Sequence, residues 1–125
     1  MTGPDAEVLN EGVLDELRAS VQGDRAFVVE LIEAYLVDGA AHIEAIGAAA
    51  DARDADALVR PAHTLKSSSA TLGAARLSTT ARELETLGRS GALDSTVGDL
   101  VGRVREEWPV TAAALRGWAA REGAG

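Results

Sequence analysis

Cysteine is absent from this 125-residue sequence, which excludes disulfides, thiolate metal sites and cysteine nucleophiles and leaves the core to hold itself by packing. Aromatic residues make up 3% of the chain, too few for a base-stacking platform or a large aromatic pocket. Basic residues are in the minority: 12 Lys and Arg stand against 20 Asp and Glu, for a formal charge of -8 and a pI near 4.7. Such a chain repels a phosphate backbone, whose binding needs clustered cations, so no nucleic acid is expected as a partner. No apolar run approaches the roughly 20 residues of a membrane span, and the acidic, periodic start MTGPDAEVLNEGVLDELR lacks the basic block and apolar core of a signal peptide. A cytoplasmic protein without a membrane partner is the expectation. A Gly-rich phosphate loop with its lysine is also missing, which argues against ATP binding of the kinase kind.

What is present is helical periodicity almost everywhere, with no alternating Val, Ile and Thr runs that would signal strands. The length suits one domain, expected to span residues 1–125 with a core over about 8–120 and frayed ends. Val13, Leu14, Leu17 and Val21 give a short first helix stopped by Gly23, and Asp24 caps a second helix over about Arg25 to Asp38. That helix is apolar around more than one face, which predicts contact with several neighbours or an exposed docking patch, unless the first helix covers it. An alanine-rich third segment runs from about Ala40 to Ala52, with Asp51 or Asp54 as the following cap. Helices over about Ala55 to Leu72, Ala75 to Leu87 and Ser95 to Ala120 complete the pattern, the last kinked or broken by Pro109. Short connections between long amphipathic helices imply an all-α fold: an antiparallel four-helix bundle with an additional short N-terminal helix across one end.

The stretch RPAHTLKSSSATLGAARL, Arg60 to Leu77, concentrates polar groups within a helix. At 100° per residue Leu58, Ala62, Leu65, Ser69 and Leu72 share one stripe, the expected core face, and His63 lies roughly 150° from its centre, toward solvent. Lys66 at i+3 and Ser67 at i+4 stand beside it, and Ala70 continues that face with a minimal side chain. An exposed imidazole with an ammonium, a hydroxyl and little bulk around it suits a phosphoryl acceptor, since the incoming group brings about two negative charges. On spacing alone, an ordinary surface histidine fits as well.

Other constellations are weaker. A Ser67/His63 nucleophile pair lacks an orienting acid in the sequence pattern and an oxyanion hole, because a regular helix leaves no free backbone donors in mid-span. Asp51, Asp54 and Asp56 lack the glycine and terminal glutamate of a calcium loop and read as helix caps. His42 has no second ligand nearby in sequence and reads as a structural or surface residue. Gly98 and Gly102 form a GxxxG of little meaning in a soluble helix.

AHTLKSSSATLGAARL, Ala62 to Leu77, resembles the signature of the histidine-containing phosphotransfer domain family, usually close to AHxLKGSSxxxGAxxL. FVVELIEAYLVDGAAHIEAIGAAADARDADAL before it and ARELETLGRSGAL after it are similar to the family's neighbouring helices. The resemblance implies that His63 is phosphorylated through Nε2, that Lys66 steadies the phosphoryl group, and that Gly73 ends the helix. It further implies a carrier with no independent catalytic activity that takes a phosphoryl group from one receiver-domain aspartate and passes it to another. The implied partners are response-regulator receiver domains and a hybrid sensor histidine kinase. No cofactor is implied for this chain, with Mg²⁺ expected on the receiver, and a monomer is expected. Two departures stand out: Ser67 where glycine is usual, which bears on how closely a partner approaches, and Pro61, expected to loosen the helix locally. The competing reading is a helical adaptor that binds a partner without phosphotransfer.

Overall fold

The computed structural model describes residues 7–124, with side chains to Arg121; the expected fraying falls in part on residues 1–6 and 125, outside the described range. Among the described residues there are five α-helices and no strand: α1 (Glu11–Ser20), α2 (Arg25–Asp51), α3 (Ala55–Thr71), α4 (Ala75–Ser90) and α5 (Thr96–Ala124). Helices α2 to α5 form an up-and-down bundle in which α3 packs on both α2 and α4, and α5 closes against α2 and α4. Helix α1 lies against α2 and reaches the end of α5, where Trp118 Nε1 donates to Asp15 at 3.4 Å and Arg121 pairs with Glu11.

The helix starts follow from their caps. Asn10, Asp24 and Asp54 each accept a backbone N–H in the first turn of α1, α2 and α3, satisfying donors that a helix start leaves free. Helix α4 has no side-chain cap. Its Arg76 N–H donates instead to the Glu7 carbonyl at 3.0 Å, while Asn10 N–H donates to the Gly73 carbonyl at 2.7 Å. The segment before α1 therefore fastens the turn between α3 and α4.

Two expected breaks do not occur. The second and third segments of the sequence are one helix, because Gly39 is used for packing: a Cβ there would stand 2.4 Å from Cη2 of Trp108. The missing side chain lets the indole lie on the α2 backbone, where it also meets Tyr35 with ring centroids 5.4 Å apart. Nor is α5 broken at Pro109, which is exposed, so water can reach the carbonyl that lacks a partner there. Helix α3 likewise runs uninterrupted through Pro61, whose ring is buried.

The core is built from Leu14, Ile32, Ile46, Leu58, Leu65, Leu77, Leu84, Leu115 and Trp118, all at or near zero exposure. Every member of the stripe read along α3, from Leu58 through Ala62, Leu65 and Ser69 to Leu72, is buried. Ser69 satisfies its hydroxyl against Tyr35 Oη on α2 at 2.7 Å; burial pushes the Tyr35 phenol up to about 12, with the Ser69 bond acting in the opposite direction. Helix α1 leaves part of α2 uncovered, since Phe27 remains 42% and Val37 72% exposed.

Gly73 ends α3 with φ of +79°, and a Cβ there would lie 2.5 Å from the Asn10 carbonyl oxygen. Gly73→Ala combines left-handed strain with a clash against backbone that cannot rotate away. The expected loss is about 2 kcal/mol of unfolding free energy in denaturant titration, with amide exchange rising first at Asn10 and Arg76.

Candidate functional site

The α3–α4 hairpin places the site. Its two helices approach closely at their outer end, where a Cβ on Gly88 would stand 3.0 Å from the Ala55 carbonyl oxygen. Further along, the Ser78 hydroxyl donates to the Lys66 carbonyl at 2.9 Å. Between these ties, the outward face of α3 carries His63 and the facing side of α4 carries Glu85.

His63 is half exposed, its side chain retaining 52% of its accessible surface. Its Nδ1 lies 2.9 Å from Glu85 Oε2. Glu85 is buried, and its carboxylate also meets Lys66 Nζ at 2.7 Å through Oε1. Arg89, one turn along α4, donates to Oε2 from Nε at 2.9 Å and from Nη2 at 2.7 Å. A buried carboxylate without partners would be expelled or protonated. Here the Lys66 hydrogen bond, aided by those of Arg89 and His63, outweighs desolvation and holds the carboxyl down at about 2.

The ionised state of Glu85 decides the orientation of the imidazole. A carboxylate only accepts hydrogen bonds, so Nδ1 carries the proton and donates it. In the neutral ring the lone pair then resides on Nε2, the nitrogen turned away from Glu85. The hydrogen bond also fixes the ring plane, as carboxylates do for metal-bound histidines. The result is an oriented imidazole on a half-exposed side chain, with its Nε2 away from Glu85 and the Lys66 ammonium paired to the same carboxylate.

Lys66 stands where its spacing predicts, one turn from His63, yet its charge is engaged by Glu85. Ser67 is exposed on the same face and accepts from the Thr71 hydroxyl at 3.0 Å through its carbonyl; its side chain adds little bulk beside the imidazole. Ser68 bonds back to the Thr64 carbonyl at 2.9 Å, whereas Ser69 turns inward to Tyr35. His42 sits on α2 in a groove with Tyr35, Thr64 and Ser68, apart from the His63 cluster. Asp54 is a cap, and the described residues contain no group of three or more His, Asp or Glu placed to hold a metal ion.

Glu85 and Arg89 are the site residues that sequence reasoning missed. Their i, i+4 spacing reads as an ordinary surface pair. The available signal was the position of Glu85 one residue after Leu84, at the edge of the α4 apolar stripe of Leu77, Ala81 and Leu84, where an acid must find partners.

The model of the family described as the Hpt domain matches residues 30–118. The fold is similar to the crystal structure of histidine-containing phosphotransfer protein B from Pseudomonas aeruginosa PAO1, with a TM-score of 0.81 and 25% identity over 96% of this chain and 98% of that one. Among curated proteins none matches the chain.

The depressed Glu85 carboxyl makes stability depend on pH. In the unfolded chain it titrates near its ordinary 4.5 and in the folded protein near 2, so its contribution is complete above pH 4.5 and is lost as pH falls toward 2. Denaturant titrations of the wild type and Glu85→Gln across that range are expected to converge as pH drops. A constant difference would show that Glu85 is not held as an ionised group.

Proposed function

Because this chain belongs to the Hpt domain family, we propose that His63 is the phosphoryl-accepting residue of a relay between receiver-domain aspartates. The observation that carries this reading is the contact that orients one ring: Nδ1 of a half-exposed His63 lies 2.9 Å from the Glu85 carboxylate, which leaves Nε2 as the nitrogen away from it.

In the forward step the Nε2 lone pair attacks the phosphorus of a partner's aspartyl phosphate. The N–P bond forms as the P–O bond to the aspartate breaks, and the aspartate departs as a carboxylate with that electron pair. No proton needs to leave, because Nδ1 already holds one and the positive charge gained by the ring faces the Glu85 carboxylate. In onward transfer the N–P pair returns to Nε2 as the next aspartate takes the phosphoryl group. Glu85 thus acts as a positioning residue through His63, and Arg89 acts through Glu85.

Lys66 contributes the nearest ammonium to the added negative charge, and Glu85 keeps it beside the ring when no phosphoryl group is present. The short side chains of Ser67 and Ala70 give a partner room for in-line approach. Turnover in this reading depends on the partner's catalytic groups and Mg²⁺, with this chain presenting the nucleophile. The absence, among the described residues, of any helix long and apolar enough to cross a membrane is compatible with a cytoplasmic relay. The proposed donors and acceptors are receiver domains of response regulators and of a hybrid sensor kinase.

Incubation with phosphorylated receiver domains and Mg²⁺ is expected to place acid-labile, base-stable phosphate on the wild type. His63→Gln should acquire none while keeping its helical circular dichroism. Glu85→Ala should slow transfer at least roughly 10-fold by releasing the ring, with a change in the ¹⁵N shifts of His63 that reports loss of the Nδ1–H form. Lys66→Ala should slow transfer or shorten the lifetime of the phosphohistidine. Stable binding of every receiver with no labelling of the wild type would leave the adaptor reading in its place.

A further inference from the structure

The charge of this protein is distributed unevenly. Between residues 57 and 82 there are four basic residues and no acidic one, while the rest of the chain holds eight basic and twenty acidic residues. That stretch is most of α3 and the first half of α4, the hairpin that presents His63.

Within it, the charges differ in availability. Lys66 is engaged by Glu85, as is Arg89 just beyond. Arg82 is exposed and makes no ion pair or hydrogen bond through its side chain among the described residues, while the adjacent Glu83 turns to Arg103 on α5 at 3.4 Å. Arg82 lines an open groove of about 510 Å³ between α3 and α4, shared with Lys66, Ser67, Ala70 and Ser78. The small residues keep its floor open beside the reactive face, and an uncompensated guanidinium stands on its wall.

We infer that this groove is the electrostatic docking surface for an acidic patch on the phosphotransfer partner, with Arg82 as the residue that engages a carboxylate there. The inference rests on the reading of His63 as phosphoacceptor. Its partner chemistry follows from the reaction: a protein that carries phosphate on an aspartate and uses Mg²⁺ must gather carboxylates around that aspartate, because Mg²⁺ is held by oxygen ligands. Such a surface is repelled by an acidic molecule as a whole and attracted by the stretch from 57 to 82, which carries four basic residues and no acidic one. The charge pattern therefore selects orientation during encounter, bringing His63 toward the aspartate before short-range contacts form. Arginine suits the task because its planar fork binds a carboxylate bidentately.

The test measures the second-order rate of transfer from phosphorylated receiver domains, with Mg²⁺, as NaCl is raised. At low salt Arg82→Ala is expected to lower that rate roughly 3- to 10-fold and Arg82→Glu further, with the differences shrinking toward high salt as screening shortens the range of the field. The rate at saturating partner should change little, since Arg82 touches neither reacting atom. Arg116→Ala, an exposed arginine on α5, serves as the control and should match wild type. Calorimetric binding of the unphosphorylated receivers to the same variants reads the contrast without any chemistry, so a protein that takes no phosphate still tests the surface. Equal rates and affinities for wild type, Arg82→Ala and Arg82→Glu at low salt, or an equal loss in Arg116→Ala, would overturn the docking assignment while leaving the phosphoacceptor reading to its own labelling experiment.

Discussion

The site depends on a carboxylate that cannot remain buried alone. Glu85 is placed by α4 under the surface of the hairpin, and its desolvation is tolerable because His63, Lys66 and Arg89 converge on its two oxygens. The same contacts that compensate the buried charge aim the imidazole and hold an ammonium beside it. Stability and chemistry are therefore coupled at one residue: a substitution that frees His63 to rotate also removes the group around which two cationic side chains are ordered. A buried ion cluster is often neutral or costly relative to apolar packing. Its retention here is understandable from what it orients.

That arrangement requires α3 and α4 to keep a fixed register, and the scaffold supplies it from both ends. Gly88 permits close approach beside Ala55 and Val59, Ser78 ties the two helices through the Lys66 carbonyl, and Gly73 turns the chain under Asn10. On the far side, Ser69 is bonded to Tyr35, whose ring rests on the Trp108 that Gly39 admits. A polar-looking helix is thus anchored by leucines inward and by one hydroxyl toward α2, while its opposite face turns His63 and Lys66 toward the Glu85 carboxylate.

Much of this was readable because it is periodic. The stripe from Leu58 to Leu72 and the outward direction of His63, Lys66 and Ser67 follow from 100° per residue, and Asp24, Asp54 and Gly73 announce helix ends through local chemistry. What was not readable depends on residues distant in sequence. The division expected between about Asp38 and Ala40 is absent because the use of Gly39 becomes visible only with Trp108 beside it, and Pro109, expected to kink or break α5, leaves the helix continuous at an exposed position that depends on how α5 packs. The role of Glu85 is invisible in local sequence, since its partners His63 and Lys66 lie 22 and 19 positions upstream on another helix. Locally encoded features and those that require the assembled bundle divide cleanly along this line.

The division of charge completes the functional logic. A nucleophile that must both accept and release a phosphoryl group cannot be surrounded by groups that bind phosphate tightly, because such groups would stabilise the intermediate and slow the onward step. Here Lys66 and Arg89 are already paired with Glu85, which, on the reading of His63 as phosphoacceptor, moderates their attraction for the phosphoryl group. The guanidinium of Arg82 lies instead along the groove rather than on the ring, where the proposed docking would favour encounter without deepening the bound state. On the reading of His63 as phosphoacceptor, the field of the hairpin favours approach, while Glu85 limits how strongly the paired cations stabilise the phosphohistidine.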